Sequence, residues 1–341
     1  MTSIHAFFGS PQVGTFLLAL VLGLSTTRLL IRLAPRLGMI DRPHGRKSHA
    51  SPVPTSGGLA IALAALLSIL LVAPVPDTLR GFVPAAAMLA IFGSLDDRHP
   101  LPSGLKLLGQ FAAAAFALLG SGDDALPTAP AAALVPLAKL LFLVATMNAV
   151  NLMDGLDGLA AGCCLLTLLG ILSIHLVLGG GLASVPMLLS AMLGGLLAFL
   201  RYNLFPARLF MGDAGSLFLG LSLGMLLLGL LDAPLPLTPP RLLLLLGLPA
   251  LDMLAVAQHR LRRGRSPFAA DRNHIHHRLL DMGLSHAATV RAIVLAHGLV
   301  VAAALWPVPD HLALLILAAA ALLLALRLLA RRRVRREEGP A

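Results

Sequence analysis

Residues 214–231 read AGSLFLGLSLGMLLLGLL, and the segment just before them reads Phe210-Met211-Gly212-Asp213. A bilayer core is crossed by a helix of about 20 apolar residues. A helix apolar all round has no face to give to water. The stretch therefore reads as a transmembrane span with an acid at its entrance. The same reading carried outward gives candidate spans at 11–31, 56–73, 82–95, 105–120, 131–149, 158–178, 184–200, 214–231, 241–257, 289–306 and 311–328. The expected fold is all-α and integral to the membrane, a polytopic bundle of about eleven transmembrane helices.

Composition agrees. Of 341 residues, 57% are hydrophobic and 12% charged, where a soluble domain carries about 25% charged residues. A mean hydropathy of +0.88 leaves little for a water-facing surface. Backbone polar groups in a bilayer must be satisfied within the protein. The length therefore reads as one membrane domain over 1–330 with a basic tail over 331–341, not as two soluble domains. The first apolar stretch reads as a true span, because no small-residue cleavage site follows it. Cys163 and Cys164 are adjacent, which suits apolar packing and not a disulfide framework.

The net charge of +10 has a location. Loops after odd-numbered spans hold Arg32, Arg36, Arg42, Arg46 and Lys47, then Arg98 and Lys106, then Arg201 and Arg208. They continue with Arg260, Arg262, Arg263, Arg265, Arg272 and Arg278, and the tail adds Arg331, Arg332, Arg333, Arg335 and Arg336. Loops after even-numbered spans hold Arg80 and Arg241 and are rich in proline. The positive-inside rule then puts the N-terminus outside and the C-terminus in the cytoplasm. The charge is a topology signal, and no nucleic-acid partner is expected.

The acids gather on that same side, which the topology rule does not require. They are Asp41, Asp96, Asp97, Asp154, Asp157, Asp213, Asp252, Asp271 and Asp281. Asp96 and Asp97 end the third span. Adjacent carboxylates repel, so they favour a cation or one raised pKa, and Mg²⁺ takes oxygen ligands together with substrate phosphates. The bland alternative is a solvated helix end. Lys106 follows as a candidate phosphate ligand.

A second segment runs Asn148-Ala149-Val150-Asn151-Leu152-Met153-Asp154-Gly155-Leu156-Asp157-Gly158. Asp154 and Asp157 share one face of a helical turn, and the glycines admit close backbone approach. Carboxylates and amides beside apolar spans are costly unless used. The third segment, Arg201-Tyr202-Asn203 to Ser216, places Asp213 at a span entrance as a helix cap, a metal ligand, or both. Phe210 is a candidate to stack on a base or simply to pack.

The fourth segment is basic and rich in histidine: Arg260 to Arg265, then Asp271-Arg272-Asn273-His274-Ile275-His276-His277-Arg278. The arginines disfavour zinc. Arginine with histidine suits a diphosphate through charge-assisted hydrogen bonds. A fifth runs Asp41-Arg42-Pro43-His44-Gly45-Arg46-Lys47-Ser48-His49, then Pro52-Val53-Pro54-Thr55-Ser56-Gly57-Gly58. Topology accounts for its charge but not for the paired glycines. Lys139, inside the fifth span, is also unexplained, unless it snorkels or pairs with an acid.

Taken together, in order and across nearly the whole chain, these segments resemble the polyprenyl-phosphate N-acetylhexosamine-1-phosphate transferases, integral membrane enzymes of glycosyltransferase family 4. The resemblance rests on the basic loop ending in Gly57-Gly58, the Asp96-Asp97 pair, Asn151 to Gly158, Phe210 to Ser216, and His274-Ile275-His276-His277. It implies transfer of N-acetylglucosamine-1-phosphate, or a related N-acetylhexosamine-1-phosphate, from a UDP-sugar to undecaprenyl phosphate. UMP leaves, and the lipid-diphosphate-sugar opens a cell-envelope polysaccharide. It also implies a Mg²⁺ cofactor, with Mn²⁺ as the substitute.

By position, the resemblance makes Asp96, Asp97 and Lys106 the catalytic group and Asp213 with Asp97 the metal ligands. Substrate binding falls to Asn151, Asp154, Asp157, Asn203, Phe210, Arg260, His274, His276 and His277. The implied partners are the UDP-N-acetylhexosamine, undecaprenyl phosphate and the bilayer of the bacterial inner membrane, with a homodimer left open. The peptidoglycan branch, which uses a muramoyl-pentapeptide donor, is the alternative. It typically has a lysine before the second span and three consecutive histidines, whereas Ala50 to Gly58 lacks that lysine and Ile275 interrupts the histidines. An ion-coupled transporter is the rival from another class, but its acids would sit at mid-membrane.

Overall fold

A computed structural model describes residues 10–42, 51–120, 134–178, 185–233, 238–266, 273–305 and 312. The helices are α1 (Pro11–Leu37), α2 (Gly57–Val72), α3 (Phe82–Arg98), α4 (Ser103–Leu119), α5 (Leu134–Met153) and α6 (Leu159–Leu178). They continue as α7 (Val185–Asn203), α8 (Gly212–Leu231), α9 (Pro239–Leu261), the short α10 (Ile275–Asp281) and α11 (His286–Leu305). Ten of the eleven expected spans coincide with α1 to α9 and α11. The eleventh, 311–328, lies outside the described residues, as do residues 43–50, Asp271, Arg272 and the basic tail. Among the described residues, eight candidate spans are long and apolar enough to cross a membrane, and α2 and α4 are shorter apolar helices. The chain is a multi-pass membrane protein.

The centre of the bundle is α8. In its most apolar window 83% of residues are buried, against 22% for α1 at the edge. It packs on α3, α5 and α2, while α1 packs on α7 and α2. With lipid as solvent, helices gain from close approach at small residues. Here a Cβ on Gly93 would lie 2.3 Å from Ala214 Cα, and one on Gly58 would lie 1.9 Å from Gly215 N. The glycine pair of the fifth segment is thereby explained, because α2 and α3 enter α8 at its first turn. Gly58→Ala forces backbone apart and is expected to cost about 2 kcal/mol or more. A lowered unfolding midpoint in detergent checks this.

Before α2, Ile40–Asp41 pairs antiparallel with Val53–Pro54 in a two-stranded ladder, which hydropathy did not announce. The α7–α8 segment is tied to it. Phe210 N donates to Pro54 O (2.8 Å), while Gly57 N donates to Phe210 O (3.0 Å) and Gly58 N to Met211 O (2.8 Å).

Helix α9 breaks at Gly247 (φ 27°, ψ −113°), two residues before Pro249. A proline leaves the carbonyl four residues earlier without its helical partner, and inside a bilayer that group must be satisfied by protein. The orphan is Leu245 O, and it accepts from Thr167 Oγ1 on α6 at 2.7 Å. Cys163 and Cys164 are buried in the apolar core. Lys139 pairs with Asp232 at 2.8 Å, so the odd lysine of the fifth span does meet an acid.

Candidate active site

Odd-numbered helices α3, α5, α7 and α9 end, and α4, α6 and α8 begin, at one end of the bundle. The acids gather there around the first turn of α8. A helix start has unpaired N–H groups and a partial positive charge. No side chain of the local sequence caps α8, whose N-cap position is Met211. The reading of Asp213 as the cap is therefore corrected. The carboxylate that serves comes from α3: Asp213 N donates to Asp97 Oδ1 at 2.7 Å and Ala214 N to Asp97 Oδ2 at 3.3 Å. Gly212 makes room for it, with φ at +69° and a Cβ that would lie 2.4 Å from Asp97 Oδ2.

With its amide held by Asp97, Asp213 presents its carboxylate elsewhere. Lys106 Nζ donates to Oδ2 at 2.8 Å and Asn151 Nδ2 to Oδ1 at 3.0 Å. Asn151 also donates to Ser216 Oγ at 2.9 Å. Lys106 forms a second ion pair with Asp96, whose Oδ1 accepts from Leu101 N at 2.6 Å. One lysine thus joins α3 to α8, and one asparagine joins α5 to α8.

The turn between α5 and α6 carries Asp154 and Asp157. Asp157 Oδ2 accepts from Ala207 N at 2.9 Å, and Asp157 N donates to His286 Nε2 at 3.1 Å. Asn203 is buried and satisfied at both ends of its amide: Gly158 N donates to its Oδ1 (3.0 Å), and its Nδ2 donates to Leu209 O (2.9 Å). Burial, helped by the Asp213 and Asp157 carboxylates, pushes Asp154 up to about 7. Among the described residues, five carboxylates and one lysine gather at this end of the bundle.

Phe210 is partly exposed, with its main chain held by Pro54 and by Gly57 at the start of α2. Arg260 is buried in the last turn of α9. The histidine segment closes over the α5–α6 turn. A Cβ on Gly155 would lie 2.3 Å from His276 Nε2, so only glycine leaves that ring its place. The ring of His276 stacks on His274 at 5.7 Å and sits 4.3 Å from His277.

Burial, then the His277 and His274 rings, bring His276 down to about 3, so it is neutral at neutral pH. The unfolded chain, with an imidazole near 6.5, takes up the proton first on acidification. The stabilising contribution is therefore complete above pH 6.5 and is lost as pH falls towards 3. Unfolding midpoints measured from pH 8 to 4 should fall less steeply in His276→Gln than in the wild type.

Two further residues belong to this arrangement: Asp252, one of the gathered acids left without a role in the sequence reading, and His286. Asp252 on α9 bonds His274 Nδ1 and Ile275 N, each at 2.8 Å. Its signal was an acid amid Leu251, Met253 and Leu254, costly in a membrane helix unless used. His286 had no signal, because its partner lies 129 residues away. Among the described residues, no three or more His, Cys, Asp or Glu side chains converge as a ready metal site.

Residues 79–230 match the glycosyl transferase family 4 model. A Bacillus subtilis protein named probable undecaprenyl-phosphate N-acetylglucosaminyl 1-phosphate transferase is 34% identical over 83% of this chain and 81% of its own. The decaprenyl-phosphate N-acetylglucosaminephosphotransferase of Mycolicibacterium smegmatis is 36% identical over 79% and 75% respectively. The undecaprenyl-phosphate alpha-N-acetylglucosaminyl 1-phosphate transferase of Escherichia coli K12 is 29% identical over 79% and 76%. The matched region holds α3 to α8, the helices that build the acidic end of the bundle, and the chain belongs to glycosyl transferase family 4.

Proposed function

We propose that this protein transfers N-acetylhexosamine-1-phosphate, with N-acetylglucosamine as the sugar, from a UDP-sugar to undecaprenyl phosphate. The observation that carries this reading is the convergence of Asp96, Asp97, Lys106, Asn151 and Asp213 on one helix start. Relatives whose names state this transfer support it. Residues 1–330 form the catalytic membrane domain, followed by the basic tail. The site faces the cytoplasm of the inner membrane, where arginine-rich loops and soluble nucleotide sugar meet.

An oxygen of the lipid phosphate attacks the β-phosphorus of the donor. A new P–O bond forms, the bond from that phosphorus to the bridging oxygen breaks, and UMP departs with the oxygen. A phosphate monoester has a second pKa of about 6, so the nucleophile is already a dianion and needs no strong base. Catalysis is then positioning and charge neutralisation. Lys106 holds a phosphate oxygen and is aimed by Asp96. Asp97 seats Asp213 at the start of α8. Asn151, Asp154, Asp157, Asn203 and Phe210 form the nucleotide side, and Arg260, His274, His276 and His277 the diphosphate and sugar side.

The donor set fits Mg²⁺: hard carboxylate oxygens, in excess over Lys106 among the described residues. Asp213 and Asp97 would hold the ion, which supplies charge neutralisation at the diphosphate when bound. The test is purified protein with Mg²⁺, undecaprenyl phosphate and a panel of UDP-N-acetylhexosamines. UMP release that needs both lipid and metal is expected. Its absence with every donor would overturn the reading.

A further inference from the structure

Asp252 lies in α9, on the far side of the Gly247 break from the helix start, and is only 3% exposed. A buried carboxylate in an apolar helix is unfavourable unless paired and hydrogen-bonded. Both its oxygens are engaged, Oδ2 with His274 Nδ1 and Oδ1 with Ile275 N. The two partners are adjacent in sequence and lie at the start of α10.

That start needs help. A seven-residue helix is too short to be stable by itself. Its N-cap residue, His274, makes no side-chain cap hydrogen bond. The first amide of the helix is satisfied by Asp252 instead, across 23 residues of sequence. An ionised carboxylate only accepts, so His274 donates from Nδ1. This leaves Nε2 as the nitrogen not committed to Asp252. The His274 ring in turn stacks on His276, nearly parallel at 9°. His276 rests on Gly155, between Asp154 and Asp157.

We infer that Asp252 is the positioning residue for donor binding: one carboxylate on α9 holds α10 and its histidines in register with the Asp154–Asp157 turn. This rests on the proposed transferase reading, in which those histidines meet the donor diphosphate. Asp252 touches no substrate. It acts through His274 and, by the ring stack, through His276. The lipid phosphate side, built on α3, α4 and α8, does not depend on it.

The test compares wild type, Asp252→Asn and Asp252→Glu as purified full-length protein. For Asp252→Asn, KM for UDP-N-acetylglucosamine should rise about tenfold or more, the loss of a hydrogen bond to a charged group. KM for undecaprenyl phosphate should stay within about twofold, and Asp252→Glu, which keeps the charge, should recover part of the donor affinity. Without substrates, amide hydrogen exchange over 275–281 should quicken in Asp252→Asn.

Unchanged donor KM, or an equal rise in both KM values, overturns the inference. So does unaltered exchange over 275–281, whatever the kinetics. A wild type that releases no UMP defeats the transferase reading, and the donor role of Asp252 with it. Exchange would then show separately whether the clamp itself exists.

Discussion

Asp213→Asn is expected to lower the rate of lipid-dependent UMP release about 100-fold or more while the protein still inserts in the membrane. The Asp213 carboxylate joins two neighbouring helices, with Lys106 of α4 on one oxygen and Asn151 of α5 on the other. An asparagine has nearly the same shape but no charge, and its amide would present a donor to one of these donors. It removes the partner of Lys106 and the carboxylate proposed to hold Mg²⁺. Raising Mg²⁺ should not restore the wild-type rate. Insertion is checked by membrane yield and by an unfolding midpoint in detergent. Wild-type activity in Asp213→Asn would sink the assignment of this carboxylate to the metal.

Asp97→Asn is expected to cost about 10- to 100-fold in rate, the range for hydrogen bonds to a charged acceptor. The reason differs from that at Asp213. Asp97 caps α8 from another helix, accepting the Asp213 and Ala214 amides. In asparagine one of these amides faces an NH₂ group, and the negative charge at the positive helix end is lost. The first turn of α8 then loosens, and Asp213 with it. The loss should therefore be accompanied by a lower unfolding midpoint, unlike that of Asp213→Asn. Full activity with a lowered midpoint would restrict Asp97 to holding the helix.

Hydropathy carries span position well, because a bilayer imposes length and apolarity on each helix independently of its neighbours. Ten expected spans, from 11–31 to 289–306, accordingly meet described helices. What hydropathy cannot carry is pairing across distance. Asp97 and Asp213 stand 116 residues apart, and they meet because α3 packs on α8, where Gly93 lets the backbone approach Ala214. The same holds for Lys139 with Asp232 and for Asp157 with His286. The α9 break was half legible: Gly247 and Pro249 signal it, but the threonine that satisfies Leu245 is 78 residues away. Asp252 carried the cost of a buried acid in plain view, yet its use depended on a short, polar α10 that no apolar pattern marks. The glycine pair that opens α2 became intelligible only once its neighbour, the first turn of α8, was known.

The central claim is that sugar and phosphate move together to the lipid. It is tested most directly with UDP-N-acetylglucosamine labelled with ³²P in the β-phosphate, incubated with protein, Mg²⁺ and undecaprenyl phosphate. The account predicts label in the lipid-extractable product in amounts equal to the UMP released. Label left in released UDP, with sugar alone on the lipid, would contradict it.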